Sequence, residues 1–120
     1  MSPQFDAARL IAKYSVGRAF IHLLFRRLHW LLPLNYLHQS ATVLAFHHPK
    51  PSHSVHILIV PREPIDNLSS LPLDDTALLR DIFETVQLLV NQLGLERYRL
   101  ICNGGEYQDI PHLHFHLVAD

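Results

Sequence analysis

Three histidines recur at every second position near the end of the chain, in Pro111-His112-Leu113-His114-Phe115-His116-Leu117-Val118. In an extended strand successive side chains point to opposite faces. His112, His114 and His116 then line one face, and Leu113, Phe115 and Leu117 line the other. The apolar row has a core to enter, whereas three adjacent imidazoles are costly to explain by stability alone. Imidazole is the side chain whose ordinary pKa suits both nucleophilic attack and proton transfer near neutral pH. The segment reads as an active-site strand.

The elements that must position it follow from the rest of the chain. Leu34–His38 and Ala41–His47 read as two short strands, and the prolines of His48-Pro49-Lys50-Pro51-Ser52 mark a turn, since proline cannot join a central ladder. Val55–Val60 is a β-branched run suited to the centre of a sheet. Asp66–Asp75 is a loop, after which Asp74 or Asp75 caps a helix. Leu79, Ile82, Phe83, Val86, Leu89, Val90 and Leu93 give that helix a broad apolar stripe, and Gly94 closes it. Arg97–Cys102 and His112–Val118 are the last two strands, joined by the loop 103–111. The expected fold is α+β, a five-stranded antiparallel sheet with helices packed on one face.

The chain of 120 residues is long enough for one layered core and too short for two. Its hydrophobic content of 48% and charged content of 18% are those of an ordinary soluble globular protein. The single cysteine, Cys102, leaves no intramolecular disulfide and no Cys-x-x-Cys pair. A net charge of −1 gives no reason to expect a nucleic-acid partner. No continuous apolar run of the secretory type stands at the N-terminus, so a cytoplasmic setting is expected.

Charge is nevertheless uneven. Residues 1–32 carry five Lys/Arg against Asp6 alone, and residues 33–120 carry five against ten acidic groups. The first segment reads as a helix opening at Ser2-Pro3 and stopping before Pro33, with Gly17 as a kink or break. Ile21, Leu24, Phe25, Leu28, Leu31 and Leu32 form its apolar face, opposite a basic line of Arg18, His22, Arg26 and His29. A helix of this kind can lie on a membrane surface. Packing on its own sheet or on a partner subunit is the preferred reading.

The His-φ-His-φ-His-φ-φ pattern (φ apolar) resembles the signature of the histidine triad (HIT) superfamily. The resemblance covers roughly residues 33–118 and has companions in the family's order. Ala45-Phe46-His47 and Pro51, then Val55-His56-Ile57-Leu58-Ile59-Val60-Pro61-Arg62, resemble the family's strand–loop–strand segment. Asn103-Gly104-Gly105 and Gln108 resemble its phosphate-side loop. The resemblance implies a domain over 33–120 preceded by the basic helical segment 1–32, and a two-fold dimer through the strand Arg97–Cys102. The implied activity is hydrolysis or nucleotidyl transfer at the α-phosphate of a phosphoramidate or phosphoanhydride, with no cofactor and no metal.

In that scheme His114 is the nucleophile, forming a covalent nucleotidyl-histidine, and a backbone carbonyl of the triad strand fixes its tautomer. His112 and His116 flank it and donate to phosphate oxygens. His56 supports the phosphate pocket, Gln108 and Asn103 contact phosphate or the loop backbone, and Gly104 and Gly105 let backbone N–H groups approach an anion. The chain departs from the family at three places. His48 stands where the nucleotide-binding branch has an acidic ribose ligand, Asp109 where Ser or Thr often follows the Gln, and Pro64 where many members have His. Two other classes are weighed beside this one: a catalytically weak binding protein, and a metal site drawing on His112, His114, His116 and His56.

Overall fold

The computed structural model describes residues 15–26 and 34–120. The elements are α1 (Ser15–Arg26), β1 (Tyr36–Gln39), β2 (Val43–His47), β3 (Val55–Pro61), α2 (Thr76–Gln92), β4 (Arg99–Ile101) and β5 (Phe115–Ala119). The strands form one antiparallel sheet in the order β1-β2-β3-β5-β4. This is the five-stranded α+β architecture that the alternating patterns imply. The β-branched run takes the centre, as its composition requires.

Both faces of the central strands are apolar, and each face has its own helix. Val43, Ala45, Ile57 and Ile59 alternate with Leu44, Phe46, Leu58 and Val60 along β2 and β3. The first set joins Leu113, Phe115, Leu117 and the α2 residues Leu78, Ile82, Val86 and Leu89 in the larger core. The second set packs with Phe25 and Ile21 of α1. Placement of both helices on one face is therefore not what the chain adopts. Strands that are apolar on both sides need cover on both sides.

Helix α2 starts where its cap dictates. The Asp75 carboxylate accepts from the Leu78 N–H at 3.1 Å, satisfying one of the orphan donors of the first turn. It ends at Gly94, whose φ of +61° lets the chain turn so that the Leu95 N–H reaches the Val90 carbonyl at 3.0 Å. Its buried stripe is narrower than the sequence suggests. Leu78 and Thr85 belong to it, while Phe83 and Leu93 face solvent. Thr85 is tolerated inside because its hydroxyl donates to the Asp81 carbonyl one turn back, at 2.7 Å. Ser40 and Thr42, from the β1–β2 turn, both donate to the Asp81 carboxylate, which fastens that turn to α2.

Several boundaries shift. The last strand begins at Phe115, so His112, in a bend, and His114 precede it, and β4 is shorter than Arg97–Cys102. The helix α1 runs through Gly17. The expected start at Ser2-Pro3 and stop before Pro33 lie outside the described residues, as do Leu28, His29, Leu31 and Leu32. No described helix is long and apolar enough to cross a membrane.

Candidate active site

The alternation sends Leu113, Phe115 and Leu117 into the α2 core and the three histidines to the α1 face. In the ladder His116 stands opposite Leu58, and His56 opposite Val118. His56 and His116 are thus diagonal neighbours on that face, close enough for side chains to meet. His48 follows β2, tied by its own N–H to the His56 carbonyl at 2.8 Å. The result is a tight group of imidazoles. Ring centres lie 4.3 Å apart for His48 and His56, 5.2 Å for His56 and His116, and 5.1 Å for His114 and His116.

Backbone partners decide the tautomers. A carbonyl can only accept, so His114 carries its hydrogen on Nδ1, which donates to the His112 carbonyl at 2.8 Å. His114 is buried as a residue, and its Nε2 lone pair is thereby left uncommitted in the neutral ring. The Ser52 N–H donates to Nδ1 of His56 at 3.1 Å, so the neutral His56 carries its hydrogen on Nε2. That hydrogen points at Nδ1 of His116, 2.9 Å away. His116 then holds its own hydrogen on Nε2, a buried atom that meets no acceptor among the described residues. The Lys50 N–H donates to Nδ1 of His48 at 2.9 Å, which leaves Nε2–H as the donor of that ring. One lone pair stands beside a chain of oriented N–H donors.

His112 is different. It is fully buried, and both ring nitrogens are engaged within the protein. Its Nε2–H donates to the Pro61 carbonyl at 2.6 Å, and its Nδ1 lies 2.7 Å from Nδ1 of His22 on α1. Phe25 stacks obliquely against the same ring, centre to centre 4.8 Å. His22 in turn reaches the Asp66 carboxylate at 2.9 Å. Neither His22 nor Asp66 stands out in the sequence, where the helical spacing puts His22 on the basic line opposite the apolar face. The available signal was its spacing: His22 lies three residues before Phe25 and beside Ile21, at the border of the apolar stripe.

The loop residues divide. Gly105 adopts a φ of +60°, a conformation that favours glycine, at the start of the short turn Gly105–Tyr107. Gln108 uses its amide N–H groups on the Asp66 carbonyl at 2.6 Å and the Ile110 carbonyl at 2.9 Å, bracing two loops. Asn103, half-buried, leaves the sheet two residues after Ile101, which pairs with His116. Arg18, Asp66, Asn67, Gly105, Gln108 and Asp109 border a cleft of about 180 Å³. A larger cleft of about 450 Å³ lies along the β4 edge and touches the histidine group through His53 alone. Among the described residues no group of three or more His, Cys, Asp or Glu side chains has the arrangement of a metal site. Both ring nitrogens of His56 are already engaged, Nδ1 by the Ser52 N–H and Nε2 by His116.

Burial lowers the imidazole pKa values. His112 is pushed from the ordinary 6.5 to about 4, by burial first, against the hydrogen bond it donates to the Pro61 carbonyl, which raises it. His116 also falls to about 4, through burial and then the neighbouring His114, His56 and His48. His48 and His56 are lowered chiefly by burial. The Asp109 carboxylate opposes the lowering at His48 and His116. A folded-state value below the unfolded one means that the unfolded chain binds more protons between the two. The contribution of His112 and His116 to stability is then complete above pH 6.5 and is lost as pH falls toward 4. His112 alone accounts for a loss of about 3 kcal/mol across that window. Urea unfolding at pH 7 and pH 4.5 checks this, and equal stability at both would contradict it.

The HIT domain model matches residues 32–120, nearly three-quarters of the chain and all of the sheet. The chain belongs to the HIT family. It is 37% identical over 91 residues to an uncharacterized HIT-like protein of Synechococcus elongatus, covering 73% of this chain and 80% of that one. Among solved structures it resembles a HIT family hydrolase from Legionella pneumophila, with a TM-score of 0.73 and 28% identity over 81% of this chain and 90% of that one. A histidine triad protein from Clostridium difficile gives the same TM-score at 25% identity, covering 84% and 89%. A histidine triad nucleotide-binding protein from Candida albicans gives 0.69 at 26% identity, covering 82% and 71%. The HIT assignment accounts for the fold.

Proposed function

We propose that this HIT protein hydrolyses or transfers nucleotidyl groups from phosphoramidates or phosphoanhydrides, through a covalent nucleotidyl-His114 intermediate. The observation that carries the reading is the pairing of a fixed lone pair with an unused donor. His114 Nε2 is freed by the Nδ1–H bond to the His112 carbonyl, beside the buried His116 Nε2–H that lacks an acceptor among the described residues. In the first step Nε2 bonds to the α-phosphorus while the bond to the leaving group breaks with its electron pair, and the leaving atom takes up a proton from solvent. In the second, water bonds to phosphorus and releases a proton to solvent, the phosphorus–Nε2 bond breaks and its electron pair returns to the ring. Covalent catalysis divides one hard displacement into two easier ones. His116 Nε2–H stabilises the charge that develops on the phosphate oxygens. His56 orients His116, and His112, with both ring nitrogens committed, supports His114 rather than contacting phosphate. Gln108 shapes the phosphate loop through its carbonyl contacts, and Gly105 and Asn103 complete that loop.

The reading extends to a domain over 33–120 carrying the 1–32 segment, a cytoplasmic setting and a homodimer. In support of the dimer, β4 pairs with β5 alone among the described residues and leaves an edge open. Because the donors are imidazoles, activity on a panel of nucleoside phosphoramidates and dinucleoside polyphosphates should survive exhaustive chelation. Loss with chelator and recovery with Zn²⁺ would favour the metal class instead.

The sugar is a separate test. His48 Nδ1 accepts from Lys50, so the ring offers a hydroxyl one N–H and no carboxylate. A site built to bind the ribose diol rejects the deoxy analogue strongly. Here ribo- and deoxyribonucleotide versions of one substrate should differ by less than about tenfold in kcat/KM, or about 1.4 kcal/mol. His48→Asp should create a ribose preference. A strong preference in the native protein would assign the contact to another residue.

A further inference from the structure

The contact between His22 and His112 makes a demand on hydrogens that can be counted. His112 Nε2 must carry one, because the Pro61 carbonyl can only accept. His22 Nε2 must carry one, because the Asp66 carboxylate beside it accepts at 2.9 Å. The two Nδ1 atoms, 2.7 Å apart, need a third between them. Two neutral imidazoles hold two hydrogens in all. Three hydrogens give the pair one positive charge, balanced by Asp66, with Arg18 Nε also 3.8 Å from that carboxylate. The Asp66 carboxylate stands against His22, whose side chain is 12% exposed, while His112 is fully buried, so the extra proton rests on His22.

The chain of contacts continues past His112. Its ring is clamped from both sides, by Pro61 and by His22, and its carbonyl receives the His114 Nδ1–H. Movement of His112 therefore shifts the acceptor that fixes the His114 tautomer. We propose that Asp66 and His22 form a charged positioning relay from helix α1, holding the tautomers of His112 and, through its carbonyl, of His114. This rests on the reading of His114 as nucleophile only for its catalytic consequence. The groups facing the relay are Arg18 and Asp66 on one side and His112 and His114 on the other. A helix outside the sheet thereby enters the machinery of the site.

Imidazole ¹⁵N spectra of the whole chain at neutral pH test the relay without an assay. In the native protein His22 should be doubly protonated, His112 should be the Nε2–H form, and His114 the Nδ1–H form. In Asp66→Asn, which keeps the shape and removes the charge, His22 should lose one hydrogen and the tautomers of His114 should become mixed. His22→Gln, a second route to the same loss, should also mix them. A singly protonated His22 in the native chain, or an unchanged His114 in both variants, overturns the relay. In kinetics, Asp66→Asn should lower kcat about tenfold with KM little changed, the order expected of an outer-shell partner, and Asp66→Glu should restore part of it. Spectra as expected in a protein that cleaves no nucleotide substrate would leave the relay standing and overturn the hydrolase reading.

Discussion

Replacing His114 with alanine is expected to lower hydrolysis of the best nucleoside phosphoramidate substrate by about 10²–10⁴-fold. The effect should fall on kcat, because the lone pair at Nε2 makes the bond to phosphorus and no neighbour can substitute for it. His116 Nδ1 is occupied by His56, and its Nε2 carries a hydrogen. His112 has both nitrogens committed. The loss should come with a folded protein, because His114 belongs to neither apolar cluster. Circular dichroism and a melting curve on the same sample separate the two effects. Retention of more than about a tenth of native activity would be incompatible with a nucleophile, given the usual contribution of such groups.

The second large effect concerns the other face of the same strand. Leu117 is fully buried under α2 and sits in register between Ile57 of β3 and Leu100 of β4. Leu117→Ala removes the side chain that ties three strands to that helix and leaves a cavity that close-packed neighbours fill poorly. The expected cost is about 2–5 kcal/mol. Against a total stability of about 5–15 kcal/mol for a domain, that is a large fraction. Denaturant titration measures it directly. A loss under about 1 kcal/mol would mean that the α2 core does not hold β5 in place. Because His116 and Leu117 are adjacent, residual folded protein should also show weakened activity.

Much of this architecture is legible in the chain because alternation and capping are local signals. The period-two pattern at 112–117 gives both the core row and the histidine row before any coordinates. Asp75 and Gly94 stand one and two residues outside the ends of α2. The division of helices between the faces was not read, although Leu44, Phe46, Leu58 and Val60 show β2 and β3 to be apolar on both sides. The breadth of the α2 stripe was overestimated because Phe83 is apolar without being covered. At the site, spacing and resemblance pointed to His112, His114, His116 and His56. They could not separate the uncommitted lone pair of His114 from the fully committed ring of His112, since that depends on which carbonyls lie within 3 Å. His22 and Asp66 are 90 and 46 positions from His112 in the chain, and only folding brings them together.

The central claim is that His114 becomes covalently nucleotidylated. Intact-protein and peptide mass spectrometry on a reaction quenched within one turnover tests it most directly. The expected result is a transient adduct of one nucleotidyl group, mapped to His114 and absent from His114→Ala. Product formed in a single turnover with no adduct on His114 at any time, or with the adduct on another residue, would contradict the account.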